Sequence, residues 1–359
     1  MTAQDELKDL LNSITPPNEA AAQLAQKHWD ACAKPLGGLG LLESALVQIA
    51  ALTGSAEICL KPRRAVIFCA DNGVVAEGVS QSDAGVTACV AHNLAAGVTA
   101  VCRMGQTADC PVQPVDMGMI DYPGEAGVWN CRIGNGTGNI VQGPAMSREQ
   151  AAQGILAGAA AVKKLASQGV RLVAAGEMGI GNTTTAACVL CALLGADPEK
   201  ITGRGAGLSD AGLKRKKAAV EKALAVNRTE QSDPLGILAA VGGFDIAGMC
   251  GAFLGGAAVG VPVLIDGVIS AAAALLAVRL CPNADKAMLA SHVSAEPAGA
   301  LALKALGKKP LITAEMHLGE GTGAVAAIPL LDMALAVYRE GYTFDAAGLE
   351  AYQPQGGST

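Results

Sequence analysis

The chain has 359 residues, 51% of them hydrophobic and only 3% aromatic, with a formal charge of −6. That length suits one large domain with an accessory piece. The acidic balance and scarce aromatics offer neither a basic footprint nor stacking platforms, so nucleic acid is excluded as a partner. The 45 glycines follow no period and sit beside apolar runs, which excludes collagen-like and disordered chains.

In chain order, the opening "MTAQDELKDL" carries acidic residues and no apolar core of a signal peptide. With 11 cysteines, an odd number scattered through apolar segments, this predicts a reduced, cytoplasmic protein. Helices are expected in "EAAAQLAQKHWDACAK" and "LLESALVQIAALTG", around a turn "PLGGLG". From Arg64 the texture changes to short branched runs alternating with helical ones. Strands are predicted at 65–70, 111–118, 171–176, 261–266 and 287–291, with 310–316 a weaker candidate. Helices are predicted at 147–169 and 213–227. Such alternation implies a parallel, doubly wound (Rossmann-like) α/β sheet covered on both faces.

The uncharged run 246–265 is long enough to cross a bilayer, but five glycines and Pro262 interrupt it. A buried helix followed by a buried strand is the better reading, so no membrane span is expected. The C-terminal "AVAAIPLLDMALAVYREG" is helical again. Residues 1–55 plus 325–353 are therefore expected to form a small helical domain beside an α/β domain at 56–324, with 354–359 a disordered tail.

Four polar glycine-rich segments fall at strand–helix junctions or in connecting loops: "ADNGVVAEGVSQSDAG" (70–85), "GEMGIGNTTT" (176–185), "GRGAGLSDAG" (203–212) and "HLGEGTGA" (317–324). In a parallel sheet such loops converge on one crevice, where free amides and helix N-termini hold oxyanions. Asn182 and Thr183 stand where a helix begins, placed either to cap it or to hold phosphate. No G-x-G-x-x-G or P-loop signature is present. The paired acids that hold magnesium-bound pyrophosphate are absent too, which points to a phosphate monoester. Glu177 and Glu320 lie in glycine turns at this edge. Partial burial would raise their pKa toward that of a general base, although each could instead cap a helix or pair with a cation. His292 and Glu296 have i,i+4 spacing without a third ligand, so no metal is expected. Cys188 and Cys191, despite CxxC spacing, read as core residues of an apolar helix. The basic run 214–217 reads, taken alone, as a solvated helix face.

At this point the sequence resembles the nicotinate-nucleotide:dimethylbenzimidazole phosphoribosyltransferases of cobamide assembly. The resemblance runs through "KPLGGLGLLE" (34–43), "DNGVVAEGVS" (71–80), "GNIVQGPAMS" (138–147), "GEMGIGNTTTAA" (176–187), "VGGFDIAGM" (241–249), "PVLIDGVISAAAAL" (262–275), "SHVSAE" (291–296) and "LGEGTGA" (318–324). It implies transfer of phosphoribose from nicotinate mononucleotide to an aromatic base, inverting the sugar carbon to an α-ribotide. By this resemblance Glu320 matches the catalytic glutamate, Glu177 the second acid, and Lys216 a phosphate-binding lysine. Gly179, Asn182, Thr183, Gly203 and Gly205 would line the phosphate and ribose site. The family fold is a sheet domain with a helical domain from both termini, working as a dimer. Either two copies of this chain or this chain with a paralogue would satisfy that. No cofactor is implied, because amides, a lysine and threonines suffice for a monoester.

The chain departs from the family pattern at the base pocket. There Ser82 is kept, but Val90 replaces the usual glutamine and Met178 the usual leucine; elsewhere, in "DNG", Asn72 replaces a histidine. The resemblance gives 5,6-dimethylbenzimidazole as the base by family default; loss of the amide weakens that fit and opens the pocket to phenol or p-cresol as the alternative. Two rival readings follow: a non-catalytic paralogous subunit of a heteromeric transferase, and a nucleotide-cofactor oxidoreductase, for which the dinucleotide fingerprint is missing.

Overall fold

The computed structural model describes residues 2–353, so the tail at 354–359 lies outside the described residues. Helices α1 (Ala3–Asn12), α2 (Glu19–Ala31) and α3 (Leu41–Thr53) precede strand β1 (Arg63–Ala70). Helices α4 (Gly85–Ala95) and α5 (Ala100–Thr107) lead to β2 (Val112–Gly118) and a two-residue strand, β3 (Trp129–Asn130). Next come α6 (Arg148–Ser167), β4 (Leu172–Met178), α7 (Asn182–Leu194), the short α8 (Pro198–Ile201) and α9 (Asp210–Asn227). Then follow α10 (Pro234–Val241), α11 (Phe244–Val259), β5 (Val263–Ile265), α12 (Val268–Leu280) and β6 (Met288–Ala290). The chain closes with α13 (Ala298–Ala305), α14 (Thr322–Glu340) and α15 (Phe344–Ala347).

The strands form one sheet in the order β3-β2-β1-β4-β5-β6, with every pairing parallel. Period-2 alternation divides β1 between two cores. Val66 and Phe68 face a cluster with α6, α7, α11 and α12. Ile67 and Cys69 face a second cluster with Trp29, Leu46, Ile49, Leu331 and Tyr338 of α2, α3 and α14. Burial of both faces explains why the strands read as continuous apolar runs. This is the doubly wound α/β sheet expected from the sequence. Its winding direction reverses between β1 and β4, which opens a crevice at their carboxyl ends.

Much of the glycine content serves close helix packing. A Cβ on Gly158 of α6 would lie 1.9 Å from the Gly248 carbonyl oxygen of α11, and one on Gly251 would lie 1.9 Å from that of Ile155. The segment 246–265 is helix α11 followed by β5, both in the core, as its composition indicated. Two stretches, Gly85–Thr107 and Thr322–Glu340, are long and apolar enough to cross a membrane. The first is α4 and α5 together, and the second, α14, packs on the second core.

Two features were not read from the sequence, the placement of α1 and the strand β3, and one strand expectation fails. Helix α1 carries Leu7 and Leu10 into the first core, and its Ala3 amide donates to Glu149 of α6 (2.8 Å). It therefore lies across the sheet from α2, α3 and α14. The edge strand β3 is too short to give a periodic signal. The weaker candidate 310–316 forms only an isolated bridge, Ile312 beside His292, because Pro310 has no amide to donate and Glu315 turns to φ 53°.

Candidate active site

A cavity of about 320 Å³ occupies the crevice, lined by the loops after β1, β4, β5 and β6 and by the approach to α14. Ser82, Val90, Glu177, Met178, Gly179, Asn182, Thr183, Gly205 and Glu320 all line it. Gly203 and Lys216 do not; they stand immediately behind its wall.

Glu177 is paired in register with Phe68 near the end of β4, so its side chain emerges at the cavity floor. It is buried, and its Oε2 accepts a short hydrogen bond from Asn182 Nδ2. The same amide donates to Asp245 Oδ2 at 2.9 Å. Burial, and then the Asp245 charge, push the Glu177 carboxyl up to about 8; the Asn182 bond opposes this only in part. Burial also pushes Asp245 up, to about 6. Two carboxylates sharing one amide in a dry setting retain a proton between them. Asn182 therefore does not cap α7: the cap is Gly181, with φ 92° and no side-chain bond. Gly179 has no room for a side chain, since a Cβ would lie 2.4 Å from Asp245 Oδ2 and 2.6 Å from the Ala70 carbonyl.

Glu320 sits in a turn where three successive residues have positive φ: Gly319 at 86°, Glu320 at 59° and Gly321 at 79°. A non-glycine residue held there stores about 1 kcal/mol or more of strain, and such strain concentrates at working sites. The turn is fastened by Asp266, whose Oδ2 accepts from the Gly321 amide (3.2 Å) and whose Oδ1 accepts from that of Ala324 (2.9 Å). Burial raises the Glu320 pKa; the Val101 amide and Thr99 hydroxyl beside the carboxyl hold it back. Its Oε2 is buried with no partner.

Behind the part of the wall formed by Thr183 and Gly205 lies a cation. Lys216 of α9 is fully buried, and its ammonium donates to Thr183 Oγ1 at 2.7 Å. Burial lowers its pKa to about 8, against an opposing pull from Glu296. Gly205 turns at φ 56°, and a Cβ there would be 2.8 Å from Thr183 Oγ1 and 3.2 Å from Lys216 Nζ. The basic run is thus not one solvated face. Lys217 pairs with Glu199 (2.7 Å) and Arg215 reaches the Gly78 carbonyl (3.4 Å), while Lys216 points inward.

Val90 and Met178 supply apolar surface to the cavity, whose lining also includes Ser82. Gln81 Nε2 donates to the Ala206 carbonyl at 3.0 Å, tying the loop that carries Ser82 to the loop after α8. Cys188 and Cys191 lie in the core of α7, and burial pushes both thiols up.

Sequence reasoning missed Asp245, Asp266, His292 and Ser294 as site residues. Asp245 follows a glycine pair at a helix start, and Asp266 ends a strand-like run; each carried a usable signal. His292, buried beside Asp266, shows only a metal-like spacing in the sequence, and its ring leaves no room for a Cβ on Gly323.

Comparison with known proteins gives the family of the chain. The model of a phosphoribosyltransferase family, DBI_PRT, matches residues 14–349. A nicotinate-nucleotide–dimethylbenzimidazole phosphoribosyltransferase of Acetivibrio thermocellus is 43% identical over 345 residues, covering 96% of this chain and 98% of its own. One of the same name from Ruminiclostridium cellulolyticum is 44% identical over 347 residues, 97% and 99% of the two chains. The crystal structure of CobT from Thermus thermophilus superposes with a TM-score of 0.87 at 39% identity, covering 93% of this chain and all of that one. The chain is a phosphoribosyltransferase and belongs to the nicotinate-nucleotide:dimethylbenzimidazole phosphoribosyltransferase family.

Proposed function

We propose that this enzyme transfers phosphoribose from nicotinate mononucleotide to an aromatic lower-ligand base in cobamide biosynthesis. The observation that carries the reading is a single cavity lined by the buried Glu177 and Asp266 carboxyls, with the buried Lys216 behind Thr183. Lys216, Thr183 and the amides at Gly203 and Gly205 would hold the donor's phosphate, with Gly179 and Asn182 near the ribose. The bond between the anomeric carbon and the pyridinium nitrogen breaks, and nicotinate leaves with the electron pair. The base attacks the opposite face, which inverts that carbon. A carboxylate takes the proton that the base loses, a step typically worth about 10²–10⁴ in rate. We assign it to Glu320, whose Oε2 has no partner, with Glu177 as the acid that retains a proton beneath the sugar. Holding both rings in line adds a proximity term.

We further propose that the accepted base is phenolic. The dimethylbenzimidazole in the relatives' names is the family default, but Val90 and Met178 present apolar surface where an amide would meet a second ring nitrogen. A phenol offers only its hydroxyl, so its proton must leave beside the attacking oxygen. Competition between p-cresol and dimethylbenzimidazole tests this, with excess benzimidazole product as the contrary result. The working assembly is proposed to be a dimer, of two copies or with a paralogue. Inactivity of the pure chain, with rescue by a related chain, would favour the paralogous pair.

A further inference from the structure

We propose that Glu296 is a built-in competitor for the donor's phosphate, its carboxylate occupying the anion seat at the Gly205 amide until phosphate displaces it. Glu296 Oε1 accepts the Gly205 N–H at 3.0 Å. The other oxygen packs so closely on the preceding turn that a Cβ on Gly203 would lie 2.0 Å from it. These are the two glycines of the loop assigned above to phosphate, and the inference rests on that assignment. Lys216 is fully buried, has no carboxylate within ion-pair distance among the described residues, and feels Glu296 as its leading stabilising charge. A carboxylate and a phosphate oxygen compete for the same amide and the same ammonium field, because both are anionic acceptors of charge-assisted hydrogen bonds.

Glu296 is suited to leave. It is only half-buried, it lines the cavity, and its carboxylate has a single hydrogen-bond partner, the amide it would give up. Displaced toward solvent, it frees the amide for the incoming phosphate and leaves Lys216 to neutralise the new charge. Its return as product departs would help expel the ribotide, which carries the same phosphate. The residue therefore tunes affinity for phosphorylated ligands and takes no part in bond making.

Three variants test the proposal: Glu296→Gln, Glu296→Asp and Lys216→Met. Calorimetry gives the Kd for inorganic phosphate, and steady-state kinetics give KM for nicotinate mononucleotide and for the acceptor. Glu296→Gln keeps an acceptor for Gly205 and removes the charge. It should lower both the phosphate Kd and the donor KM by about tenfold, the loss of one charge-assisted bond, and leave the acceptor KM unchanged. Glu296→Asp, which keeps the charge without the reach, should give a smaller gain. Lys216→Met should weaken phosphate binding. Weakened binding in Lys216→Met with no gain in Glu296→Gln overturns the competitor role alone. Unchanged phosphate binding in both overturns the phosphate seat itself.

Discussion

Glu177 and Asp245 are joined through one amide: Asn182 Nδ2 donates to both, reaching Asp245 Oδ2 at 2.9 Å. Because the Asp245 charge helps hold the Glu177 proton, removing that charge must release it at lower pH. Asp245→Asn is expected to move the alkaline limb of kcat/KM, where Glu177 loses its proton, down by about one pH unit or more. An unmoved limb, with kcat/KM merely scaled, would show that the two carboxyls titrate apart.

The same raised pKa links stability to pH. Between 4.5, the ordinary value, and about 8, native Glu177 holds a proton that the unfolded chain has lost. Asp245 has the same sign up to about 6. Stability conferred by the protonated forms is full below the unfolded values and declines as pH rises toward the folded ones. The parent's Tm should fall from pH 5 to 8, and Glu177→Gln should fall less, so the gap widens in the variant's favour. Parallel Tm curves would contradict it.

Lys216 makes the donor site sensitive to alkali. Its pKa is lowered to about 8 by burial, so above that pH the free enzyme loses the charge that meets phosphate. The donor KM should climb above pH 8 while the acceptor KM stays level. Lys216→Met should show a donor KM about 10- to 100-fold higher and flat across that range, as expected for one lost hydrogen bond to a charged group. A pH-independent donor KM in the parent would argue against the lysine's role.

Acceptor choice is predicted to sit at Val90. Val90→Gln restores an amide to the cavity wall and should shift the ratio of kcat/KM for dimethylbenzimidazole over p-cresol upward by about tenfold, one good hydrogen bond. Competition assays with both acceptors present read the ratio directly. A shift the other way would remove Val90 from the base pocket.

The fold was legible because β1, β2 and β4 are long enough for branched, buried runs to stand out. The crossing of α6 over α11 left only its glycines as a trace, since backbone contact has no side-chain code. At the site, glycine marked both acids for different reasons. Glu320 stands between two glycines of positive φ, which few residues tolerate. Glu177 lies in β4 rather than in the expected turn, and its neighbours Gly176 and Gly179 leave no room for a Cβ. Asp245 did not: its importance comes from Asn182, more than sixty positions earlier in the chain, and no spacing rule connects them. Lys216 was disguised by its three basic neighbours, and only helix phase turns it inward. The resemblance supplied its role where the pattern alone could not.

The most direct test mixes the pure protein with nicotinate mononucleotide and, separately, dimethylbenzimidazole, adenine, phenol and p-cresol, following nicotinate release and ribotide mass. The account predicts an α-ribotide, best with a phenolic acceptor, and a loss of about 10²–10⁴ in kcat in Glu320→Gln. Product from Glu320→Gln at the parent's rate, or none from the parent with any acceptor, would contradict it.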